Sequence, residues 1–234
     1  MFTGIIEEIG TIIALPPAGA AGELIISCKK VLEGTQIGDS IAVNGICLTV
    51  TRMNPNSFAA DAMPETIRRS SLSRLNIGRH VNLERAMPMN GRFGGHIVSG
   101  HIDGTGTVTA VRREANAVWY RIEYPPEFTP CIIEKGSVAI DGISLTVAET
   151  GETPKPWFSV SIIPHTIGKT ILGERKPEDL INLETDVIGK YVQRNLDIWQ
   201  NHPRIRTLNQ NHPRQKNDTD SATDQEWKDL LMSL

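Results

Sequence analysis

Cysteine is scarce in this 234-residue chain, and its three copies, Cys28, Cys47 and Cys131, share no CxxC spacing. An odd, unclustered set argues against a disulfide framework and a cysteine zinc site, and it suits a reducing, cytoplasmic compartment. Charge of one sign is also lacking. The net charge is −3, so no overall field draws the chain to nucleic acid or to an anionic membrane. No apolar run approaches membrane-spanning length. The opening MFTGIIEEIG has no basic region and carries Glu7 and Glu8, which is not the pattern of a secretion signal. There is no Walker loop, no GxGxxG within a βαβ unit, no GxSxG and no HExxH. GRFGG at 91–95 reads as a turn rather than a phosphate cradle, since no helical pattern follows it. The expectation is chemistry without a metal or a cofactor.

What the chain does have is a repeat. GDSIAVNGICLTV at 38–50 returns as GSVAIDGISLTV at 136–147, with Ser40, Ala42, Gly45, Ile46, Leu48, Thr49 and Val50 recurring 97 positions later. Each copy is an alternating run, then Asn-Gly or Asp-Gly, then a second β-branched run. That is a hairpin signal with a mechanism: a type I′ turn needs positive φ at both central residues, which Asn, Asp and Gly tolerate best. Further matches follow in order. FAADAMPETIRRSSL at 58–72 answers FSVSIIPHTIGKTIL at 158–172, and VNLE at 81–84 answers INLE at 181–184, both at an offset of 100. At the front, Gly4 and Gly10-Thr11 answer Gly100 and Gly106-Thr107. A duplicated domain is the economical reading. Each copy reads as five or six short strands with one short helix opened by Pro64 or Pro164, the pattern of a small closed or nearly closed barrel. Copy one spans 1–95 and copy two 96–186. Ile188, Tyr191, Val192, Leu196 and Trp199 then fall at helical spacing over 187–202. Such a stripe either docks on its own barrel or mediates self-association. The polar remainder, 203–234, reads as disordered, apart from a capping box of Thr223 and Glu226 ahead of Trp227.

Few residues invite chemistry. His96 and His101, in GGHIVSGHID, are five apart and fall on opposite faces of a strand, so they make poor joint metal ligands. Either can be a structural histidine, although the flanking glycines indicate a close approach of backbone or ligand. Alternation puts Cys47 and Thr49 on one strand face, and likewise Ser144 and Thr146. Cys47 can be a small core filler. Its repeat partner Ser144 is polar, which favours a ligand-facing rim. Thr66 and Thr166 can cap the short helices or donate to an anionic or carbonyl-rich ligand. Two similar rims imply two similar ligands and do not name them.

Taken together, MFTGIIEEIG, GDSIAVNGICLTV, GGHIVSGHID and GSVAIDGISLTV resemble the alpha-chain riboflavin synthase family over about residues 1–199. The resemblance implies an all-β protein of two tandem six-stranded Greek-key β-barrels with a C-terminal α-helix. It implies a dismutation of two molecules of 6,7-dimethyl-8-ribityllumazine without a cofactor, in a homotrimer held by C-terminal helices. The active site would form between the N-terminal barrel of one subunit and the C-terminal barrel of a neighbour. A lumazine synthase is a candidate partner. By the same resemblance His101 transfers protons and Cys47 activates the acceptor, with Ser40, Asp141 and Phe2 near the reaction. Gly4, Ile5, Ile6, Leu48, Thr49, Asp61, Ala62, Met63, Pro64, Glu65 and Thr66 would line the N-barrel ligand site. Gly100, Ile102, Lys135, Ser144, Leu145, Thr146, Ile162, Ile163, Pro164, His165, Thr166 and Ile167 would line the C-barrel site. Cys47 against Ser144, and Glu65 against His165, make the two sites unlike. The rival reading is a non-catalytic lumazine- or flavin-binding protein on the same barrels.

Overall fold

The computed structural model describes residues 1–16 and 21–201. Pro17 and Gly19, residue types that break a strand, lie outside the described residues, as do the expected disorder and capping box of 203–234. In the first half, β1 (Glu8–Ala14), β2 (Gly22–Ser27), β3 (Ser40–Val43), β4 (Ile46–Asn54), β5 (Ser57–Ala62) and β6 (His80–Arg85) close into a barrel in the order β1-β2-β5-β4-β3-β6. Alternation does the sorting. Ile46, Leu48 and Val50 point inward, while Cys47 and Thr49 between them face out. The inward set meets Leu24, Ile26, Ile41, Phe58, Val81 and Leu83 in one core. Each such side chain contributes roughly 1.5–3 kcal/mol by leaving water, and closure removes the exposed strand edges.

The second half repeats the plan with one interruption. Its strands are β7 (Gly104–Glu114), β8 (Ala117–Glu123), β9 (Ser137–Ile140), β10 (Ile143–Thr146), β11 (Glu149–Gly151), β12 (Trp157–Ile162) and β13 (Leu180–Thr185). They form a seven-stranded sheet ordered β10-β9-β13-β7-β8-β12-β11 rather than a closed ring. The single β4 of the first half becomes β10 and β11 here, so of the two expected barrels the first is closed and the second is left open at this break. The gap is narrow, since the Ala148 N–H donates to the Ser159 carbonyl at 2.8 Å.

The expected turns are present. Asn44 and Gly45 have φ of 48° and 78°, and Asp141 and Gly142 have 45° and 80°, as a type I′ turn requires. The short helices α1 (Pro64–Arg69) and α2 (Pro164–Lys169) start at proline. Thr66 and Thr166 do not cap them. Met63 and Ile163 hold the cap positions without a side-chain bond. The caps fall one element later, where Ser70 Oγ and Thr170 Oγ1 accept the N–H of Leu72 and Leu172. After β13, Asp186 Oδ1 accepts the Ile188 N–H at 2.9 Å, and α3 runs over Val187–Asn201. Met1–Gln193 form one compact unit, on which Ile188, Tyr191 and Val192 are exposed. No described helix is long and apolar enough to cross a membrane.

Candidate functional site

The two hairpin turns meet tip to tip. A Cβ on Gly45 would lie 2.8 Å from the Gly142 nitrogen, and one on Gly142 would lie 2.7 Å from the Gly45 nitrogen. Only glycine suits a backbone contact this close, and the positive φ at both positions adds a second reason. Around the tips runs a buried reciprocal network. Asn82 Nδ2 donates to the Asp141 carbonyl at 2.9 Å, and Asn182 Nδ2 donates to the Asn44 carbonyl at 2.8 Å. Asn44 Oδ1 accepts the Asn82 N–H, and Asp141 Oδ1 accepts the Asn182 N–H. The same two amides accept the N–H of residues across the junction, Ile171 on Asn82 and Ser71 on Asn182, at 2.8 and 2.7 Å. The halves are thus joined by polar groups that are almost fully satisfied, which fixes their mutual orientation.

The leading segments of the two halves then cross. Phe2 and Val98 exchange backbone hydrogen bonds of 2.8 and 3.1 Å. Each segment is clamped by its own half. Glu84 accepts Thr3 N–H, Thr3 Oγ1–H and Gly4 N–H at 2.7, 2.8 and 3.0 Å. Glu184 accepts Ser99 N–H, Ser99 Oγ–H and Gly100 N–H at 2.6, 2.7 and 3.0 Å. Burial raises the Glu84 carboxyl above the usual range, and the Thr3 and Gly4 donors oppose that rise. Each segment lies along the hairpin of the other half. The Gly100 carbonyl accepts the Cys47 N–H at 2.8 Å, and the Gly4 carbonyl accepts the Ser144 N–H at 2.8 Å. Ile102 packs on the N-barrel core and Ile6 on the C-barrel core.

This crossing corrects two groups of expectations. Gly4, Ile5 and Ile6 border the C-barrel rim beside Ser144, and Gly100, His101 and Ile102 border the N-barrel rim beside Cys47. The contact at each glycine is tight. A Cβ on Gly100 would lie 2.6 Å from Cys47 Cβ and 2.8 Å from the Phe2 ring, and one on Gly4 would lie 2.6 Å from Ser144 Cβ. His101 follows Gly100 on the segment that borders the Cys47 rim. His101 is exposed, with its backbone N–H on Ser99 Oγ at 3.2 Å.

The other expected residues sort by face. Thr49 and Thr146 face out, and Asp61, Met63, Glu65, Lys135, Ile163, Pro164 and His165 are exposed. Pro64, Thr66, Leu145, Thr166 and Ile167 are partly buried. Leu48, Ala62 and Ile162 are buried in the cores, so only their backbones can meet a ligand. Glu65 is held by Arg68 and Arg69, whose hydrogen bonds and charge keep its carboxyl below the usual range. Ser40 is half-buried and pairs across the hairpin with Thr49.

Asp141 is a further correction. It is 1% exposed and lies in the junction, not on a rim, because it occupies the turn itself. Arg175 donates to its Oδ2 from Nε at 3.0 Å and from Nη2 at 2.6 Å. Burial raises the Asp141 carboxyl, while Arg175 and the Asn182 N–H pull it down. Its place is structural.

Sequence reading missed Asn82, Asn182, Glu84, Glu184 and Arg175, and it gave His96 no partner. A signal existed for four of them. The paired VNLE and INLE strands carry polar residues at buried places in both copies, and a recurring buried polar group must have partners.

Known proteins supply an independent comparison. The Lumazine binding domain family matches residues 3–86 and again 99–186. The chain is 53% identical over 193 residues to "Riboflavin synthase" of Actinobacillus pleuropneumoniae, covering 82% of this chain and 88% of the relative. It is 51% identical over 194 residues to "Riboflavin synthase" of Bacillus subtilis (strain 168), covering 83% and 89%. Among solved structures, LumP complexed with riboflavin aligns with a TM-score of 0.72 and 26% identity, over 79% of this chain and 99% of that one. LumP complexed with 6,7-dimethyl-8-(1'-D-ribityl) lumazine aligns at 0.70 and 25%, with the same coverage.

Proposed function

The chain belongs to the riboflavin synthase family and carries the lumazine-binding domain twice, and from that premise we propose that it converts two molecules of 6,7-dimethyl-8-ribityllumazine into riboflavin and 5-amino-6-(D-ribitylamino)uracil. One lumazine loses a proton from its C7 methyl group. The resulting carbanion attacks a second lumazine that has been activated at its own C7. A four-carbon unit passes between them, so one product gains what the other loses. The observation that carries this reading is the crossing. It seats His101 against the Cys47 rim, while the same position of the other rim, beside Ser144, holds Ile5. Two equivalent cradles with unlike reactive groups suit one donor and one acceptor of the same compound.

At the Cys47 rim, His101 moves the proton, since an imidazole can act in both directions near neutral pH. Cys47 assists the acceptor by adding to it or by holding a nucleophilic water. Thr49, Asp61, Met63, Pro64, Glu65 and Thr66 border this ligand with the backbones of Leu48 and Ala62. Gly4, Ile5, Ile6, Leu145, Thr146, Lys135, Ile163, Pro164, His165, Thr166 and Ile167 border the other with the backbone of Ile162. Holding the two ligands in register replaces a bimolecular encounter with a positioned one. The functional division is 1–95, 96–186 and 187–202, with 203–234 as a polar tail. The exposed Ile188, Tyr191 and Val192 support a homotrimer assembled through α3, which brings the N-barrel of one subunit to the C-barrel of the next. A lumazine synthase is the partner that would supply the substrate, and the cytoplasm is the compartment.

The test is incubation of the purified chain with the lumazine alone. Riboflavin and the pyrimidine are expected in equal amounts with no added cofactor. Lumazine that binds, fluoresces and stays unconverted would instead make the chain a lumazine-holding protein, which the alignment with LumP structures would then explain.

A further inference from the structure

His96 is a buried histidine that the mechanism above leaves without a task. It is 7% exposed. Its backbone N–H donates to the Thr3 carbonyl at 3.2 Å, so the crossing itself fixes the ring's place. Its Nδ1 lies 2.7 Å from Ser144 Oγ. Its Nε2 is buried without a hydrogen-bond partner among the described residues. Gly95 is also constrained here, since a Cβ on it would lie 2.0 Å from the Thr3 carbonyl oxygen and 2.9 Å from Ser144 Cβ. Burial lowers the pKa of the ring, which Asp186 opposes only in part, so the imidazole is neutral near pH 7.

A neutral imidazole carries one N–H, and the geometry offers it two places. On Nε2 it would be a buried donor with no acceptor. On Nδ1 it has Ser144 Oγ as an acceptor and leaves only a lone pair unpartnered. Orphaned buried N–H groups are the rarer and costlier outcome. The Nδ1–H form is therefore favoured. In that form Ser144 Oγ accepts from the ring, and its own proton points elsewhere. Ser144 is half-buried and lies on the outward strand face with Thr146, so the open direction is the rim.

We propose that His96 is a positioning residue for Ser144, holding the serine hydroxyl as a hydrogen-bond donor toward a carbonyl oxygen or ring nitrogen of the heterocycle bound at the C-barrel rim. The inference rests on the proposed lumazine site and adds the polarity of one contact within it. The two rims then differ in kind: a thiol beside an exposed imidazole at one, an oriented hydroxyl backed by a buried imidazole at the other.

The first test needs no activity. Long-range ¹⁵N–¹H correlation of the imidazoles in the intact protein, with the His96 signals assigned by their loss in His96→Asn, should show the Nδ1–H tautomer. An Nε2–H tautomer overturns the proposal. The second test is a cycle. His96→Leu removes the donor and should weaken lumazine binding about tenfold, the scale of one lost oriented hydrogen bond. His96→Asn, whose amide N–H can reach the same place, should restore most of it. In a Ser144→Ala background His96→Leu should have no further effect. An equal loss in both backgrounds, or no rescue by Asn, would make His96 a packing residue only. If the Leu variants do not fold, the tautomer measurement and His96→Asn still decide. If the wild type binds lumazine but forms no riboflavin, the proposed reaction fails while the tautomer and binding results still judge His96.

Discussion

Asn44-Gly45 and Asp141-Gly142 make the same turn at mirrored places, yet the two are stabilised differently. Both put their Oδ1 on the N–H of the asparagine in the last strand of their own half. The remaining polar atom is treated in opposite ways. Asn44 Nδ2 is buried with no hydrogen-bond partner among the described residues, whereas Asp141 Oδ2 takes two hydrogen bonds from Arg175. Copy one has Leu75 at the place of Arg175, each ending the short helical turn after α1 or α2. The turn demands a small polar residue that tolerates positive φ and bonds one N–H. It does not demand a charge. A charge there obliges a second change nearby. The rims diverge by the same logic, with Cys47 and His101 set against Ser144 and Ile5. Duplication kept the backbone frame, and the groups facing ligand or junction were then free to differ in pairs.

The largest effect is expected from making the rims alike. His101→Ile gives the Cys47 rim the residue that the Ser144 rim has in Ile5. Turnover should fall by about 10²–10⁴-fold, the usual contribution of a positioned proton-transfer group. Lumazine affinity should change far less. Single-turnover kinetics beside a fluorescence titration separate the two, and unchanged turnover would remove His101 from the chemistry.

Making the turns alike is a stability experiment. Arg175→Leu copies Leu75 and strands the Asp141 carboxylate in the junction. Breaking a buried pair in this way costs roughly 3–5 kcal/mol. The double variant Asp141→Asn with Arg175→Leu reproduces the chemistry of copy one and should recover most of that loss, as read by urea unfolding. The single variant should also respond to pH. Burial holds the folded Asp141 carboxyl above its unfolded value, and losing Arg175 removes the main opposing group. Between the two values the folded state binds the extra proton, so stability falls as pH rises through that window and returns as pH falls. A loss that is constant with pH would mean that the missing arginine acts through packing.

Much of this is legible in the order of the residues alone. The Asn-Gly and Asp-Gly signals mark both turns, and alternation puts Cys47 with Thr49 and Ser144 with Thr146 on outward faces. The longer connection between β11 and β12 also leaves a trace. The repeat offset grows from 97 to 100 between Val147 and Phe158, and the added stretch carries Pro154 and Pro156. Proline cannot donate to a ladder, and β11 stops at Gly151, short of both. The break between β10 and β11, at Val147 and Ala148, has no such mark. The crossing leaves no trace. Gly4 and Gly100 stand in the same relation to their own hairpins as to each other's, so a crossed and an uncrossed arrangement give one repeat pattern. Equivalence in a duplicated sequence says which residues share a role, not which residues touch. The pairing of His96 is hidden for a similar reason. Its partner Ser144 is 48 residues away, and no local period connects them.

The crossing itself can be tested through the two clamps, with the smallest expected effect. Glu84 holds the segment that covers the Ser144 rim, and Glu184 holds the segment that covers the Cys47 rim. Glutamine keeps one acceptor oxygen but turns an amide N–H toward the Gly4 or Gly100 N–H. Setting donor against donor should cost ~1–3 kcal/mol at the clamp. Cys47 offers the readout. Burial pushes the Cys28 thiol up to about 12 and also raises Cys131, so both react slowly with an alkylating reagent near neutral pH. Cys47 lies on the outward face, with the Gly100 segment across it. Glu184→Gln should loosen that segment and speed alkylation of Cys47 by about tenfold, in line with the energy lost at the clamp. Glu84→Gln should leave the Cys47 rate near that of the wild type, although it lies in the same barrel as Cys47. Peptide mass mapping over a time course reads both. An uncrossed arrangement predicts the reverse order, with Glu84→Gln exposing Cys47, so the two rates distinguish the arrangements even if both variants lose similar overall stability.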